Sequence, residues 1–320
     1  MSINNNSAKF ERFGSAEKDS ALATQAGVLI VNADDWGRDT ENTDRTLDCV
    51  LCGTVSSVSA MVFMEDSKRA AGIARERGID AGLHLNFTSP FSGPRTSPLL
   101  LDHHQRVARF LQRHRLAQVF FHPGLTNSFE YVVSAQLDEF RRIYGEGPNR
   151  VDGHHHMHQC ANVILRRLIP QGIVVRRNFT FQRGEKGFFN RGYRRFVDRM
   201  LKRRHHLTDF FFALPPLEPP ERLQKIFALA QEFIVEVETH PVDPQEYLFL
   251  TKGEIFRFAG SVPVARRYVP LPSGQRPRPV TKRSNLGSYL ECALPYAIAF
   301  TSTIYESLAQ LSNYLLQYKL

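Results

Sequence analysis

The chain has few cysteines and no long apolar run, and each absence excludes a class of protein. Four cysteines scattered over 320 residues are too few for a disulfide framework. The most apolar candidate for a membrane span, residues 293–304, is short and contains Pro295. We therefore expect a cytoplasmic protein without a transmembrane segment.

Both ends of the chain differ in composition from its middle. Residues 1–26 are polar and lack the apolar centre of a signal peptide, which predicts a disordered N-terminal arm. Residues 269–320 combine a Pro- and Arg-rich segment with a tail whose apolar spacing suits a helix. Residues 27–268 remain, and that length is compatible with one large α/β domain or two smaller ones; we expect one.

Positive charge exceeds negative charge, with 41 Lys and Arg against 32 Asp and Glu. Much of the excess lies in residues 192–207, where apolar side chains at helical spacing alternate with basic ones. This pattern predicts an amphipathic helix with a solvated basic face. No zinc finger, RNA-recognition motif or helix-turn-helix pattern accompanies it, so we do not expect a nucleic-acid partner.

Strands and helices are predicted to alternate along residues 27–268. The segment Gly27–Ala33 is continuously apolar and rich in β-branched residues, as in a strand buried on both faces. Further strands are predicted at residues 55–64, 79–87, 149–152, 173–176 and 233–239, and helices at 41–52, 67–77, 128–144, 161–169, 223–231 and 244–258. This alternation indicates an α/β fold with a parallel sheet.

Polar residues with metal-binding or acid–base chemistry stand near the ends of four predicted strands. These residues are Asp34 and Asp35, His84, the histidine run that begins at His154, and His240. Polar groups that converge from the carboxyl ends of several strands are typical of the active site of a β/α barrel. We therefore predict a single distorted, TIM-like β/α barrel with its site at the C-terminal ends of the strands.

The stretch Val151–His158, VDGHHHMH, is the most informative part of the sequence. Four imidazoles and a carboxylate within eight residues are hard to explain by packing, and histidine is the commonest nitrogen ligand of divalent metals. An Asp beside such ligands can accept a ring N–H and so select the tautomer. Because adjacent side chains in a turn cannot all face one ion, we expect only part of this histidine run to bind a metal directly.

At these residues the chain resembles the YdjC-like carbohydrate deacetylases, which include chitooligosaccharide and hopanoid-associated deacetylases. The matching motifs are VNADDWG at residues 31–37, SSVSAMV, GLHLNFT at 82–88, VDGHHHMH and ETHP at 238–241. The resemblance implies a distorted β/α barrel that removes N-acetyl groups from amino sugars with a divalent metal, often as a homodimer. Trp36 departs from the family pattern, which usually has Phe there.

Carried over to this sequence, the resemblance implies three metal ligands, Asp35, His84 and His154. Asp34 would be the general base, and His240 would be the general acid. Five further residues are expected to support the metal ligands or contact the substrate: Asn86, Asp152, His156, His158 and Arg176.

Three questions stay open at the level of sequence. A mixed Asp and His site accepts either magnesium or zinc. A metal-dependent hydrolase of another bond, such as a phosphoester, is an alternative, although two-metal sites of that kind usually need more bridging carboxylates. A basic, metal-stabilised protein that binds nucleic acid or an anionic surface is a second alternative.

Overall fold

A computed structural model describes residues 27–113, 116–181 and 187–268. The expectations for the arm 1–26 and for the segment 269–320 lie outside these residues. The chain divides into two compact units. Among the described residues, the second unit comprises 181 and 187–193, and the first unit holds the remainder, including the whole sheet and the candidate site.

The first unit is built on a parallel sheet of seven strands in the order β5-β4-β3-β2-β1-β7-β6. The strands are β1 (Val28–Trp36), β2 (Ser57–Ala60), β3 (Ala81–Leu85), β4 (Arg150–Gly153), β5 (Val174–Val175), β6 (Phe210–Ala213) and β7 (Ile234–Thr239). The described part of the chain thus confirms an α/β fold with a parallel sheet. A TIM barrel has eight strands, and seven are described here.

Backbone hydrogen bonds join the two edges of the curled sheet. Val175 N–H donates to the His206 carbonyl over 2.9 Å, and Thr180 N–H donates to the Phe211 carbonyl over 2.8 Å. The edge strand β5 is therefore hydrogen-bonded to the chain that leads into β6. Edge groups that would otherwise lack partners are paired in this way.

Helices connect the strands in the order that the sequence pattern predicts. They are α1 (Thr40–Leu51), α2 (Ser67–Arg77), α3 (Pro98–Gln112), α4 (Thr126–Tyr144), α5 (Ala161–Leu165), α6 (Phe188–Lys202), α7 (Pro220–Leu229), α8 (Pro244–Thr251) and α9 (Glu254–Ala259). Asp39 accepts a hydrogen bond from Asn42 N–H and caps α1. No described helix has both the length and the apolar character needed to cross a bilayer.

One strand and one helix illustrate how the structure differs from the sequence-based prediction. Strand β6, FFFA, was missed because an entirely aromatic and apolar tetrapeptide has no period that separates a strand from a buried helix. The helix predicted at 244–258 is two helices, α8 and α9, because Gly253 between them adopts a φ of +69°. A left-handed residue interrupts the helical backbone at that point.

Strands β1 and β7 are buried almost throughout, and polar side chains alternate with apolar ones along part of each. In β1, for example, Asn32 and Asp34 alternate with Val31 and Ala33, and all four are buried. Asn32 donates to both Asp34 and Ser59, so the polar side chains of β1 and β2 meet on one face of the sheet. A strand has a side-chain period of two, which places these residues on the same face.

Candidate metal centre

The candidate site lies at the carboxyl ends of β1, β3 and β4. Asp34 and Asp35 are near the end of β1, His84 is in β3, Asp152 is in β4, and His154 follows β4 directly. Each of these side chains is buried. Because neighbouring parallel strands end at one edge of the sheet, residues separated by more than a hundred positions become neighbours.

Asp35 is the centre of the cluster. Its Oδ1 lies 3.0 Å from His154 Nδ1 and 3.4 Å from His84 Nε2. Ligand atoms of these three residues lie within 4.8 Å of one another. Asp35 has a φ of +63°, which is uncommon for a residue with a Cβ. The backbone strain is consistent with a functional constraint on the direction of this carboxylate.

The turn after Asp35 depends on glycine. Gly37 has a φ of +83°, and a Cβ at this position would lie 3.1 Å from Ser67 Cα and 3.2 Å from Ala70 Cβ. Such contacts are tighter than nine in ten real Cβ contacts, so a side chain here would require helix α2 to shift by a few tenths of an ångström. Gly37 therefore allows the chain to turn sharply beneath α2 immediately after it has delivered Asp35.

His84 has its tautomer set by Asp152. Its Nδ1 lies 2.8 Å from Asp152 Oδ1, so a ring N–H at Nδ1 donates to that carboxylate and Nε2 is directed toward Asp35. Burial alone would lower the pKa of His84, but Asp34 and Asp152 outweigh it and raise that pKa to about 10. Without a cation, His84 is therefore protonated on both ring nitrogens at neutral pH.

The residues present fit a divalent cation. Asp35 Oδ1 is buried and has no hydrogen-bond partner in the described structure, although burial of an unpaired carboxylate oxygen is costly. The pKa of Asp35 is nevertheless well below its usual value: burial raises it, and the imidazoles of His154 and His84 lower it further than burial raises it. One ionised oxygen and two imidazole nitrogens that face a common point are the donor set of a catalytic metal site.

A second group of potential ligands overlaps the first and comprises Asp34, His84 and Asp152. In that group both carboxylates are already engaged by Arg176, whose guanidinium lies 2.6 Å from Asp34 Oδ2 and 2.9 Å from Asp152 Oδ2. A cation there would have to compete with a buried guanidinium. The geometry therefore favours Asp35, His84 and His154 as the set that could hold the ion.

Arg176 is fully buried and connects four carboxylates. Besides Asp34 and Asp152 it reaches Glu236 over 2.8 Å and Glu238 over 3.3 Å. Its contact with Asp34 is bidentate, with a second hydrogen bond of 2.8 Å from NH2 to Oδ1. Arg176 thus contacts two carboxylates of the second group, and its supporting role stays a prediction.

The pKa values of the carboxylates around Arg176 are shifted in different directions. Burial raises the pKa of Asp34, but Arg176 and His84 together lower it further, so that the net pKa lies below its usual value. For Glu238, burial and the neighbouring Asp34 raise the pKa well above its usual value despite Arg176. One guanidinium cannot neutralise four carboxylates, so the interior favours either protons or a further cation.

The other histidines of the run face different partners. His155 Nδ1 is 3.1 Å from Thr88 Oγ1, and its ring packs against that of His154. His156 Nε2 lies 3.7 Å from Glu238 Oε1, and its ring packs edge-on against Phe179. Both histidines have φ values above +50°. The left-handed backbone turns successive rings in different directions, so they do not converge on one point.

His158 is fully buried and serves the backbone. Its Nε2 lies 3.0 Å from the carbonyl oxygen of Arg176, to which a ring N–H donates. Burial lowers the pKa of His158 to about 4, so the ring is neutral at neutral pH. His158 thus supports the strand position of Arg176 and lies outside the group of ligand atoms.

Two further expected site residues, Asn86 and His240, are also not among the clustered ligand groups. Asn86 organises the turn after β3: its Oδ1 accepts from Thr88 N–H and Ser89 N–H, and its Nδ2 donates to the Ser89 carbonyl. His240 follows β7, one position beyond the paired residues Ala33 and Thr239, so it neighbours Asp34 in backbone register. Its backbone N–H donates to Glu246 over 2.9 Å.

Several residues of the site were missed by the sequence analysis. Arg38 donates to Asp35 Oδ2 over 2.9 Å, Asn32 donates to Asp34, and Ser59 donates to Asp152. Glu236 and Glu238, on β7, complete the surroundings of Arg176. The signal that could have found Asn32 and the two glutamates is polar residues at every second position of strands otherwise rich in β-branched residues.

Comparison with known proteins agrees with the geometry. A family model described as YdjC-like protein matches residues 28–258. A carbohydrate deacetylase of Mus musculus is 34% identical over 141 residues, which cover 42% of this chain and 44% of that protein. A chitooligosaccharide deacetylase of Yersinia pestis (strain Pestoides F) is 29% identical over 138 residues, 42% of this chain and 52% of that protein. The chain thus spans about half the length of these curated relatives.

One solved structure extends the comparison to the fold. The crystal structure of a candidate cellobiose-phosphate cleavage protein from Enterococcus faecalis aligns with a TM-score of 0.54 and 16% identity. The alignment covers 75% of this chain and 97% of that one. At this identity the match shows a common α/β fold. Taken with the family model, which covers most of the sequence, these findings show that the chain belongs to the YdjC-like family.

Proposed function

We propose that the protein is a metal-dependent hydrolase that removes N-acetyl groups from an amino sugar or oligosaccharide. The observation that carries the proposal is the buried, unpartnered Asp35 Oδ1, which faces His154 Nδ1 and His84 Nε2. The names of the two deacetylase relatives support the choice of substrate. We also propose the TIM-like barrel, the homodimer and the cytoplasmic location as expectations that accompany family membership.

Asp35, His84 and His154 would hold the cation. When bound, a divalent ion supplies Lewis-acid polarisation of the acetyl carbonyl and lowers the pKa of a coordinated water. Asp152 supports this arrangement by holding His84 Nδ1 over 2.8 Å, which leaves Nε2 as the donor nitrogen. Two imidazoles and one carboxylate suit zinc as well as magnesium, and both are proposed.

Asp34 would act as the general base. Arg176 and Asn32 donate to its two oxygens, which keeps the carboxylate ionised and oriented within the buried site. A carboxylate with a lowered pKa is a weak base, yet it is available over the whole neutral range. Its task would be to accept a proton from the attacking water.

His240 would act as the general acid. Amide hydrolysis requires protonation of the departing nitrogen, because an amine anion is a very poor leaving group. The role is supported by the strand pairing, because Asp34 and His240 each directly follow the last paired residues of β1 and β7, Ala33 and Thr239. The buried carboxylate of Glu246 accepts from His240 N–H and from Thr239 Oγ1, so the backbone that carries His240 is held firmly.

The phosphoesterase alternative is less consistent with the geometry. A two-metal site needs carboxylates that are free to bridge two ions. Here Asp34 and Asp152 are bound by Arg176, and Glu236 accepts from both Arg176 and Tyr268. In the described part of the chain these contacts leave Asp35 as the carboxylate with an unengaged oxygen at the cluster.

The test is acetate release by protein that has been stripped with a chelator and reloaded with single metals. We expect acetate from N-acetylated oligosaccharides after addition of zinc or magnesium, and none from the stripped protein. A phosphorylated ester offered in parallel should not be hydrolysed. Full activity in the stripped protein would refute metal dependence, and phosphate release without acetate release would favour the alternative.

The basic-surface alternative needs a separate measurement. Binding to a generic DNA duplex or to anionic vesicles should weaken steeply with salt if the protein uses its positive charge for recognition. We expect no salt-dependent binding to DNA or to vesicles at the salt concentrations at which acetate release is observed. The homodimer is tested in the same preparation by light scattering, where the mass of a monomer would contradict it.

A further inference from the structure

We infer that Arg38 is a positioning residue that directs one oxygen of Asp35 toward the cation and keeps the other oxygen away from it. The inference rests on the proposed metal site and adds a residue to it. It concerns how the carboxylate binds, and it explains why a partly exposed arginine stands directly beside a buried ligand.

The two oxygens of Asp35 have different environments. Oδ1 faces the two imidazoles and has no hydrogen-bond partner in the described structure. Oδ2 accepts from Arg38 NH1 over 2.9 Å. A backbone hydrogen bond of 3.1 Å from Arg38 N–H to the Asp35 carbonyl closes the turn that brings the guanidinium into place. The short loop therefore builds the contact locally.

The hydrogen bond to Oδ2 restricts how the Asp35 carboxylate could bind a metal ion. A free carboxylate can bind an ion through one oxygen or through both, and it can rotate to exchange them. A charge-assisted hydrogen bond from Arg38 engages Oδ2 and opposes both movements. Asp35 would then occupy a single coordination position, which leaves other positions open for water and for the acetyl oxygen.

Exposure separates this role from a purely structural one. The Arg38 side chain is 39% exposed, whereas that of Asp35 is 4% exposed. A partly exposed ion pair is screened by solvent and contributes little to folding stability. Replacement of Arg38 should therefore leave the thermal midpoint near that of the wild type and should change the coordination of the ion.

Arg45 provides a matched control. It lies seven positions further along, in α1, with a side chain that is 30% exposed and paired with Glu41 over 2.7 Å. It also donates to the Val242 carbonyl. The Arg45→Met variant thus removes an ion pair of a similarly exposed arginine, with an exposed partner, at a residue with no hydrogen bond or ion pair to Asp35, His84 or His154 in the described structure.

The experiment uses full-length protein loaded with Co²⁺, whose visible absorption is strong at four or five ligands and weak at six. In Arg38→Met we expect a weaker visible band, because Asp35 can bind through both oxygens, and a kcat about 10-fold lower, on the scale of other supporting contacts. Arg38→Lys, which retains a charged donor, should recover part of both. Arg45→Met should match the wild type.

A spectrum or a kcat in Arg38→Met that matches Arg45→Met would overturn the inference. So would a complete lack of recovery in Arg38→Lys. The Co²⁺ spectrum does not require turnover, so a wild-type protein that binds Co²⁺ but releases no acetate would refute the proposed function and still test Arg38 through its spectrum. A wild-type protein that binds no Co²⁺ would refute the metal site itself.

Discussion

Asp34 and Asp35 are adjacent, yet the structure gives them different partners, and replacement of each by Asn should separate their roles. Asp35→Asn substitutes a neutral oxygen or an amide N–H for the anionic Oδ1 that faces His154 and His84. We expect metal binding to weaken by about 10- to 100-fold or more, which is the scale of losses reported for groups that support metal ligands. Acetate release should then fail for lack of metal and recover in part at high metal concentration.

Asp34→Asn should have the opposite signature. Asp34 is bound by Arg176 and Asn32, and its amide analogue would place an N–H group against a donor, most directly against Arg176 NH1 at 2.6 Å. One lost hydrogen bond of this kind costs about 1–3 kcal/mol of stability. The loss is limited because Arg176 keeps Asp152, Glu236 and Glu238 as partners. Metal content should stay near that of the wild type, while turnover falls by about 100- to 10,000-fold.

The measurement is metal stoichiometry by elemental analysis beside acetate release over a range of metal concentrations. Asp66→Asn is the matched control, because Asp66 is buried and paired with Arg69 over 2.8 Å outside the cluster. Its metal content and turnover should match those of the wild type. Full metal content in Asp35→Asn together with loss of metal in Asp34→Asn would refute the assignment.

Four further predictions follow from individual contacts. His155→Gln should retain metal and most activity, since His155 contacts Thr88, whereas His154→Gln should lose metal. Elemental analysis of both variants measures the metal content. Loss of metal in His155→Gln with retention in His154→Gln would show that the ligand was misassigned. Because Asp34 and Asp152 raise the pKa of His84 to about 10, a cation that binds His84 must displace a proton. Metal affinity should therefore rise about tenfold per pH unit below about pH 10. Metal titrations at pH 6, 7 and 8 measure this, and the same affinity at all three would contradict it. Burial lowers the pKa of His104 to about 4, so its imidazole binds a proton more readily in the unfolded chain than in the folded one. The free energy of unfolding should therefore decrease as pH falls from about 6.5 toward 4, by about 2 kcal/mol at pH 5. Denaturant titrations at pH 7.5 and 5 measure this decrease, and His104→Gln should abolish the contribution of His104 to it. Deletion of residues 1–26 should leave metal content and the thermal midpoint nearly unchanged, and a large drop in either would show that this polar segment packs on the remainder.

Much of the site was predictable because its residues belong to local sequence patterns. The β-branched run that ends at Asp34 and Asp35, and the histidine run after β4, indicate a strand followed by polar groups without reference to any distant residue. The carboxyl ends of parallel strands necessarily meet at one edge, so the same patterns also predict that Asp35, His84 and His154 lie together. The structure brings ligand atoms of these three residues within 4.8 Å of one another.

Other features depend on register and on contacts between distant strands, which no local pattern reports. Arg176 was expected to support the site, but its four carboxylate partners come from β1, β4 and β7, and only the strand order brings them to one guanidinium. Asn86 stands next to the ligand strand in sequence, yet its side chain is used by the turn after β3.

The sequence by itself determined which residues could serve as ligands, because the donor chemistry of Asp and His and the strand period of two are local properties. The tertiary structure alone decided which donor atoms remain unengaged. Arg38 engages one oxygen of Asp35, and Arg176 and Asn32 engage both oxygens of Asp34, so that Asp35 Oδ1 is the carboxylate oxygen left facing the two imidazoles. The physical reason is that hydrogen-bond partners are assigned by position in space, and the positions of these groups follow from the pairing of strands that are far apart in the chain.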